Sequence, residues 1–241
     1  MAPRAKQKAG QAKQDATIHA NKQKRPDWPP LVPLVPAEHL SIESLLAGQI
    51  LIIRNLFTSS LCKSYVSFLS SLPLTTTPGK PKRGEATRVN DRFQIDDPAF
   101  VKLLWEQSGL QSLVTSYDDQ AVFGGQVLGL NSNLRIYRYR PGQFFDQHYD
   151  ESNKLQFGQE MLPAKTTWTL LIYLTTCDGG ETAFYPEPSK KGERAPEPIV
   201  VGLETGMALL HKHGDDCLLH EGREVRSGEK WVLRTDLVVR R

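Results

Sequence analysis

His148 and Asp150 stand two positions apart in FFDQHYDES, and His220 follows 72 residues later in LLHEG. On an extended segment, side chains at i and i+2 leave the same face, so His148 and Asp150 can grip one ion together. The distance to His220 lets intervening strands cross to a second sheet and return. Two imidazoles and one carboxylate on one face of an ion suit non-haem Fe(II) and leave three coordination positions open. A lone HxD arises by chance in many chains and gains weight only from its companions. Lys230 lies ten residues after His220, inside EKWVLRTD, where an enzyme with such a triad and 2-oxoglutarate would need a cation for the far carboxylate. Lys230, Val232, Arg234 and Asp236 share one strand face, so Arg234 is eligible for the same task. Lys230 is preferred; Arg234 could instead hold substrate or pair with Asp236.

YRPGQFFDQHYD, GGETAFYP, the Gly206 segment GMALLHKH, and His220 with GEKWV follow one another between about Asn131 and Val239, nearly half the chain. In these four motifs the sequence resembles the Fe(II)- and 2-oxoglutarate-dependent dioxygenases, and within them the prolyl 4-hydroxylase-like branch. The resemblance implies a double-stranded β-helix (jelly roll) with iron between its sheets, His148, Asp150 and His220 as ligands, and Lys230 on the co-substrate. It implies that the Tyr139 hydroxyl hydrogen-bonds 2-oxoglutarate and that Thr182 lines the same pocket. The implied activity consumes O2 and 2-oxoglutarate, hydroxylates a protein side chain or a small molecule, and releases succinate and CO2, with L-ascorbate open as reductant. Collagen is not expected as substrate, because secretory prolyl hydroxylases carry a signal peptide and further substrate regions that this sequence does not show. Two alternatives stay open. One is an oxidative nucleic-acid demethylase, although such dealkylases use an arginine pair that Arg234 alone does not make. The other is a catalytically silent jelly roll acting as a binding module.

Further polar groups alternate toward the same region. In RVNDRFQ, Arg88, Asn90 and Arg92 lie on one side of an extended segment, which is either a solvated edge or a substrate-contacting strand. Asn133, Arg135, Tyr137 and Tyr139 also alternate, so a Tyr139 that faces the co-substrate brings Arg135 and Tyr137 inward. A buried arginine requires an anionic partner, which makes Arg135 part of an internal ion pair or a substrate contact. His211, His213, Asp215 and Asp216 in HKHGDD read as a solvated turn rather than a second metal site. Phe144, Phe145, Trp168, Leu170, Ile172, Phe184 and Trp231 read as β-core rather than an aromatic cage.

The elements that must position these groups form an α+β pattern, helices first and strands after. A helix is expected over SIESLLAG, a strand over QILIIRNLF, a helix carrying Leu61, Tyr65, Phe68 and Leu69, and a helix from about Pro98 to Leu113. Beyond Val122, eight short segments broken by Gly and Pro read as strands: LRIYRYR, FFDQHYD, TTWTLLIYLT, ETAFYP, EPIVV, GMALLHKH, DCLLHEG and EKWVLRTDLVV. Specificity is expected on loops at 72–95, 151–165 and 186–197. Residues 1–37 are expected to be a disordered basic, proline-rich tail before a dioxygenase domain at 38–241, with the β-helix from about residue 121. The first 30 residues hold seven Lys or Arg against Asp15 and Asp27, with almost no large apolar side chain to offset ordering entropy. This basic stretch allows a nucleic-acid partner without requiring one. Three widely spaced cysteines make no disulfide framework, and no apolar run is long enough to span a membrane. The expected location is cytoplasmic or nuclear; oligomeric state is not legible.

Overall fold

A computed structural model of the 241-residue chain describes residues 25–77, 81, 84–188 and 194–241. The expectation of disorder over residues 1–24 lies outside the described residues. The eight segments expected as strands after Val122 are strands, and every pairing is antiparallel. The larger sheet runs Glu43–Leu46, Ile50–Ile53, Ala208–Lys212, Leu162–Tyr173, Lys230–Arg240, Asn133–Tyr139, Asp91–Asp96 and Thr75–Thr76. A smaller sheet runs Ile199–Val201, Thr182–Tyr185, Leu219–Gly222 and Phe145–His148.

The period-2 alternation of the central strands gives the larger sheet two chemically different faces. Trp231 and Leu233, Leu134 and Ile136, Trp168, Leu170 and Ile172, and Leu51 and Ile53 belong to one apolar cluster. The helices Ser59–Leu69 and Pro98–Gln107 contribute Leu61, Tyr65, Leu69, Phe100 and Leu104 to that cluster. The intervening residues Val232, Tyr137, Tyr139, Tyr173, Leu209 and Ile52 join Phe145, Phe184 and Val201 of the smaller sheet in a second cluster. The chemistry-bearing residues therefore share the space between the two sheets.

Local signals place the supporting elements. Thr58 caps Ser59–Leu69, its hydroxyl accepting from Leu61 N at 3.2 Å. Asp97 does the same for Pro98–Gln107, accepting from Phe100 N at 3.0 Å. Gly206 at φ +84° takes the chain past Phe57; a Cβ there would lie 1.9 Å from the Phe57 carbonyl oxygen. The Gly206 carbonyl accepts from Phe57 N at 3.0 Å, tying the segment before Ala208–Lys212 to the start of the first helix.

Four expectations are corrected. SIESLLAG contains the edge strand Glu43–Leu46, because it pairs with the fully buried strand Ile50–Ile53, and tertiary pairing overrides its helical propensity. The single helix expected from Pro98 to Leu113 is two, Pro98–Gln107 and Leu110–Thr115, broken where Gly109 takes φ +85°. Within 151–165, Lys154–Phe157 forms a strand that pairs back on Leu162–Tyr173 rather than an open loop. The described end of the expected tail, residues 25–36, packs on the domain. Trp28 stacks on Phe100 at 4.2 Å and donates to Asp97 Oδ2 at 2.8 Å, Tyr65 Oη donates to Pro29 O at 2.8 Å, and Leu31 is buried. Proline excludes helix but not an extended strap, and the apolar residues between the prolines supply burial. Among the described residues no helix is long and apolar enough to cross a membrane.

Trp28→Ala is expected to lower the unfolding free energy by about 2 kcal/mol, less than a full core truncation because the ring is half-buried. Urea unfolding checks this; a loss below about 0.5 kcal/mol, the size of an ordinary surface change, would mean the strap does not stabilise the domain.

Candidate active site

His148 ends the strand Phe145–His148, and its direct cross-strand partner is His220 on Leu219–Gly222. That register sets two imidazoles side by side, with ring centroids 4.2 Å apart. Phe145 stacks on His148 at 3.5 Å and Phe184 on His220 at 5.5 Å, so each ring has an apolar backing. Asp150 lies just past the end of the first strand. Its carbonyl accepts from Gly214 N at 2.9 Å, and its carboxylate stands 3.7 Å (Oδ1) from His148 Nε2 and 3.8 Å (Oδ2) from His220 Nε2. All three side chains are buried.

Hydrogen bonds fix which nitrogen of each ring is free. His148 Nδ1 bonds the Asp146 carbonyl at 2.7 Å and His220 Nδ1 the Leu218 carbonyl at 2.9 Å. A neutral imidazole that donates from Nδ1 presents a lone pair at Nε2, and in both rings Nε2 is the nitrogen turned to Asp150. Burial pushes both imidazoles below the ordinary range and keeps them neutral. Burial alone would raise the Asp150 carboxyl, but Arg234 and the neighbouring imidazoles hold it well below the usual range. Two neutral nitrogen donors and one carboxylate, converging and oriented from behind, fit a divalent metal that prefers imidazole and oxygen ligands.

Arg234, left open on the sequence between co-substrate, substrate and Asp236, faces Asp150. Its guanidinium donates to Asp150 Oδ2 at 2.7 Å, an oxygen that also accepts from Thr169 Oγ1 at 2.9 Å. Arg234 is thus committed to positioning the carboxylate. Four residues earlier on the same strand, Lys230 is buried with no carboxylate partner among the described residues. Nζ donates to the Gly180 carbonyl at 2.7 Å and lies 5.5 and 5.4 Å from the rings of Tyr139 and Tyr173. Burial pulls its ammonium down to about 8. An ammonium enclosed with one hydrogen bond out of three and no counter-charge is suited to an anion entering from outside. Thr182 Oγ1 and Tyr173 Oη share a hydrogen bond of 2.7 Å beside it.

The remaining expected residues divide. Arg135 resolves as an internal ion pair, donating to Asp236 Oδ2 at 2.6 Å, with Arg234 3.9 Å from the other oxygen. Arg88 lies over the rings of Phe145 (4.8 Å) and Tyr137 (5.6 Å), and Arg92 is 6.0 Å from Tyr137. Asn90 is fully buried and accepts from Thr77 Oγ1 at 3.1 Å. Burial would raise the Tyr137 hydroxyl, but Arg234, Arg92, Arg88 and Arg135 outweigh it and draw it down to about 8. Trp168, Trp231, Leu170 and Ile172 are core, as expected, whereas Phe145 and Phe184 back the histidines.

The expected solvated turn HKHGDD is corrected. His211 and His213 are buried, because Ala208–Lys212 pairs on both sides and carries the chain across the inner face. Asp215 and Asp216 do form an exposed turn. His213 bonds Thr169 and Thr166 at 3.0 and 2.9 Å. His211 Nε2 stands 3.7 Å from Asp150 Oδ2, and its Nδ1 has no partner. With Cys217 and His220 it makes a second group able to hold a metal, although burial pushes the Cys217 thiol up to about 12. Sequence reasoning missed Thr169 and set His211 aside as part of a turn; the signal of both was a polar residue on the inward phase of an otherwise apolar strand.

Residues 134–235 match the family model described as 2OG-Fe(II) oxygenase superfamily. The chain is 28% identical over 163 residues to "Probable prolyl 4-hydroxylase 9" of Arabidopsis thaliana, a match covering 63% of this chain and 55% of that protein. The chain thus spans about half the length of that curated relative. Among solved structures it is similar to the viral collagen prolyl hydroxylase of Paramecium bursaria Chlorella virus-1, at TM-score 0.51 and 16% identity over 79% of this chain and 96% of that one. It is also similar to the prolyl hydroxylase of Trichoplax adhaerens solved with a hypoxia inducible factor peptide, at TM-score 0.51 and 17% identity over 79% and 84%. An oxidoreductase of Burkholderia pseudomallei gives TM-score 0.54 and 16% identity over 81% and 87%. At these identities the likeness is one of fold.

Arg234→Met is expected to leave Asp150 buried without its cation and to lower the unfolding free energy by about 3–5 kcal/mol, with Arg234→Lys recovering part. Denaturant titration of the metal-free protein checks this. A loss under about 1 kcal/mol, ordinary for a single substitution, would mean that the ion pair does not hold the carboxylate.

Proposed function

The chain is a member of the 2OG-Fe(II) oxygenase superfamily with distant prolyl 4-hydroxylase-like relatives, and on that premise we propose that it hydroxylates a protein side chain or a small molecule. The convergence of His148, Asp150 and His220, each with its donor atom aimed at the other two, carries this reading. In it the three side chains hold Fe(II), and the facing sheets are the two walls of a double-stranded β-helix. Bound there, Fe(II) would couple O2 to 2-oxoglutarate, so that one oxygen atom turns a C–H bond of the substrate into C–OH and the other enters succinate as CO2 leaves.

The protein's own residues bind, orient and exclude water. The Asp146 and Leu218 carbonyls hold the two imidazoles in the tautomer that offers Nε2 to the metal. Arg234 and Thr169 load Asp150 Oδ2, so the carboxylate cannot rotate without losing both bonds. Lys230 meets the far carboxylate of 2-oxoglutarate in a dry cavity, where the ion pair is stronger than in water. The Tyr139 and Tyr173 rings exclude solvent around it, and the hydroxyls of Tyr139 and Thr182 line the same pocket.

His148→Ala and Asp150→Ala are each expected to abolish Fe(II)-dependent conversion of 2-oxoglutarate to succinate. Retained turnover in either variant would remove the ligand assignment. Lys230→Ala is expected to raise the apparent KM for 2-oxoglutarate at least tenfold while leaving that for iron within about twofold, as suits loss of one charge-assisted contact. Because only the ammonium form pairs with a carboxylate, 2-oxoglutarate binding should weaken as pH rises through about 8. Between pH 7 and pH 9 the loss is about tenfold. Calorimetric titration with Mn(II) as the metal checks this; Lys230→Arg should flatten the profile, and an unchanged slope would place the far carboxylate elsewhere.

A further inference from the structure

Tyr137 stands at the centre of a concentration of positive charge that the oxidation chemistry does not use. Cross-strand register sets Arg92 beside Tyr137, and Arg135 beside Arg234, on the inward face of the larger sheet. Two of these cations are answered inside the fold, Arg234 by Asp150 and Arg135 by Asp236. Arg92 hydrogen-bonds Gln94 Oε1. Arg88 is different. Its guanidinium contacts the faces of Phe145 and Tyr137, and no carboxylate lies within ion-pair distance of it among the described residues. Its backbone is tied to the site by a β-bridge to Phe145, the residue that stacks on His148. The buried Arg135 and Arg234 also each keep an Nε without an acceptor.

We propose that Arg88 and Tyr137 form a subsite for an anionic group, a carboxylate or a phosphate, carried by the substrate close to the carbon that is oxidised. This rests on the oxygenase reading above and adds the charge of the substrate to it. Asp150 answers Arg234 and Asp236 answers Arg135, whereas Arg88, over the Phe145 and Tyr137 rings, has no carboxylate within ion-pair distance among the described residues. A guanidinium laid over aromatic faces keeps its planar edge for a bidentate acceptor, and the Tyr137 hydroxyl can donate to the same anion. The anion would sit one aromatic ring away from a metal ligand, because the Phe145 ring separates Arg88 (4.8 Å) from His148 (3.5 Å). A neutral substrate would leave Arg88 without a counter-charge.

The test uses the full chain loaded with Mn(II) and saturating 2-oxoglutarate, so that probe anions cannot enter the co-substrate site. Binding is measured for inorganic phosphate and for the matched pair N-acetyl-aspartate amide and N-acetyl-asparagine amide, which differ only in charge. At least one anionic probe is expected to bind, and the asparagine probe at least tenfold more weakly than the aspartate probe if a carboxylate is the preferred group; phosphate alone binding would assign a phosphate. Arg88→Gln should weaken the bound anion at least tenfold, and Arg88→Lys should restore part of the loss. Loading with Mn(II) and 2-oxoglutarate, measured on each variant, guards against a lost fold. Normal loading with no anion bound, or anion binding unchanged in Arg88→Gln, overturns the subsite alone. Failure of the native protein to load overturns the oxygenase reading and the subsite together.

Discussion

The buried ion pair between Arg234 and Asp150 is the constraint from which the rest of the site follows. A carboxylate enclosed between two sheets costs several kcal/mol unless a cation and further donors answer it, and here Arg234 and Thr169 do so through one oxygen. The pair also joins the sheets: Asp150 follows the edge strand of the smaller sheet, and Arg234 sits mid-strand in the larger one. With the carboxylate pinned, the cross-strand register of His148 and His220 brings two lone pairs to it without further adjustment. Behind Arg234, Asp236 and Arg135 continue the alternation of charge, so the network closes on itself away from solvent.

The same strand divides structure from chemistry. On Lys230–Arg240, Trp231 and Leu233 point into the helix-backed core, while Lys230, Val232, Arg234 and Asp236 face the cavity. Pairing with Asn133–Tyr139 on one side and Leu162–Tyr173 on the other leaves the strand no freedom to slip. A shift by one residue would send both cations into aliphatic packing and both tryptophan and leucine into the site. Positions that differ by a single residue in sequence therefore carry opposite duties.

Much of the site was legible because its signals are local and periodic. HxD on an extended segment, a lysine ten residues past a second histidine, and the inward phase shared by Arg135, Tyr137 and Tyr139 all survive in the folded protein. What was not legible depends on which strands become neighbours. Arg234 was eligible as a co-substrate anchor from its phase; only the approach of Asp150 from the other sheet assigns it. His211 and His213 read as a polar turn because nothing local shows that Ala208–Lys212 is flanked on both sides. SIESLLAG has the residues of a helix, yet Ile50–Ile53, paired on its other side with Ala208–Lys212, claims it as a strand. The prolines of 25–36 exclude helix correctly, but the docking of Trp28 onto Phe100 needs both helices in place first.

Two groups of side chains could hold a metal, and they share His220. The account depends on the ion choosing His148 and Asp150 over His211 and Cys217. X-ray absorption of the Fe(II)-loaded protein, prepared without oxygen, reads this choice directly. The predicted first shell contains only nitrogen and oxygen at about 2.0–2.2 Å, with outer-shell scattering from two imidazole rings. A sulfur neighbour at about 2.3 Å would contradict it, because Cys217 would then be a ligand and Asp150 would not be the residue around which the site is built.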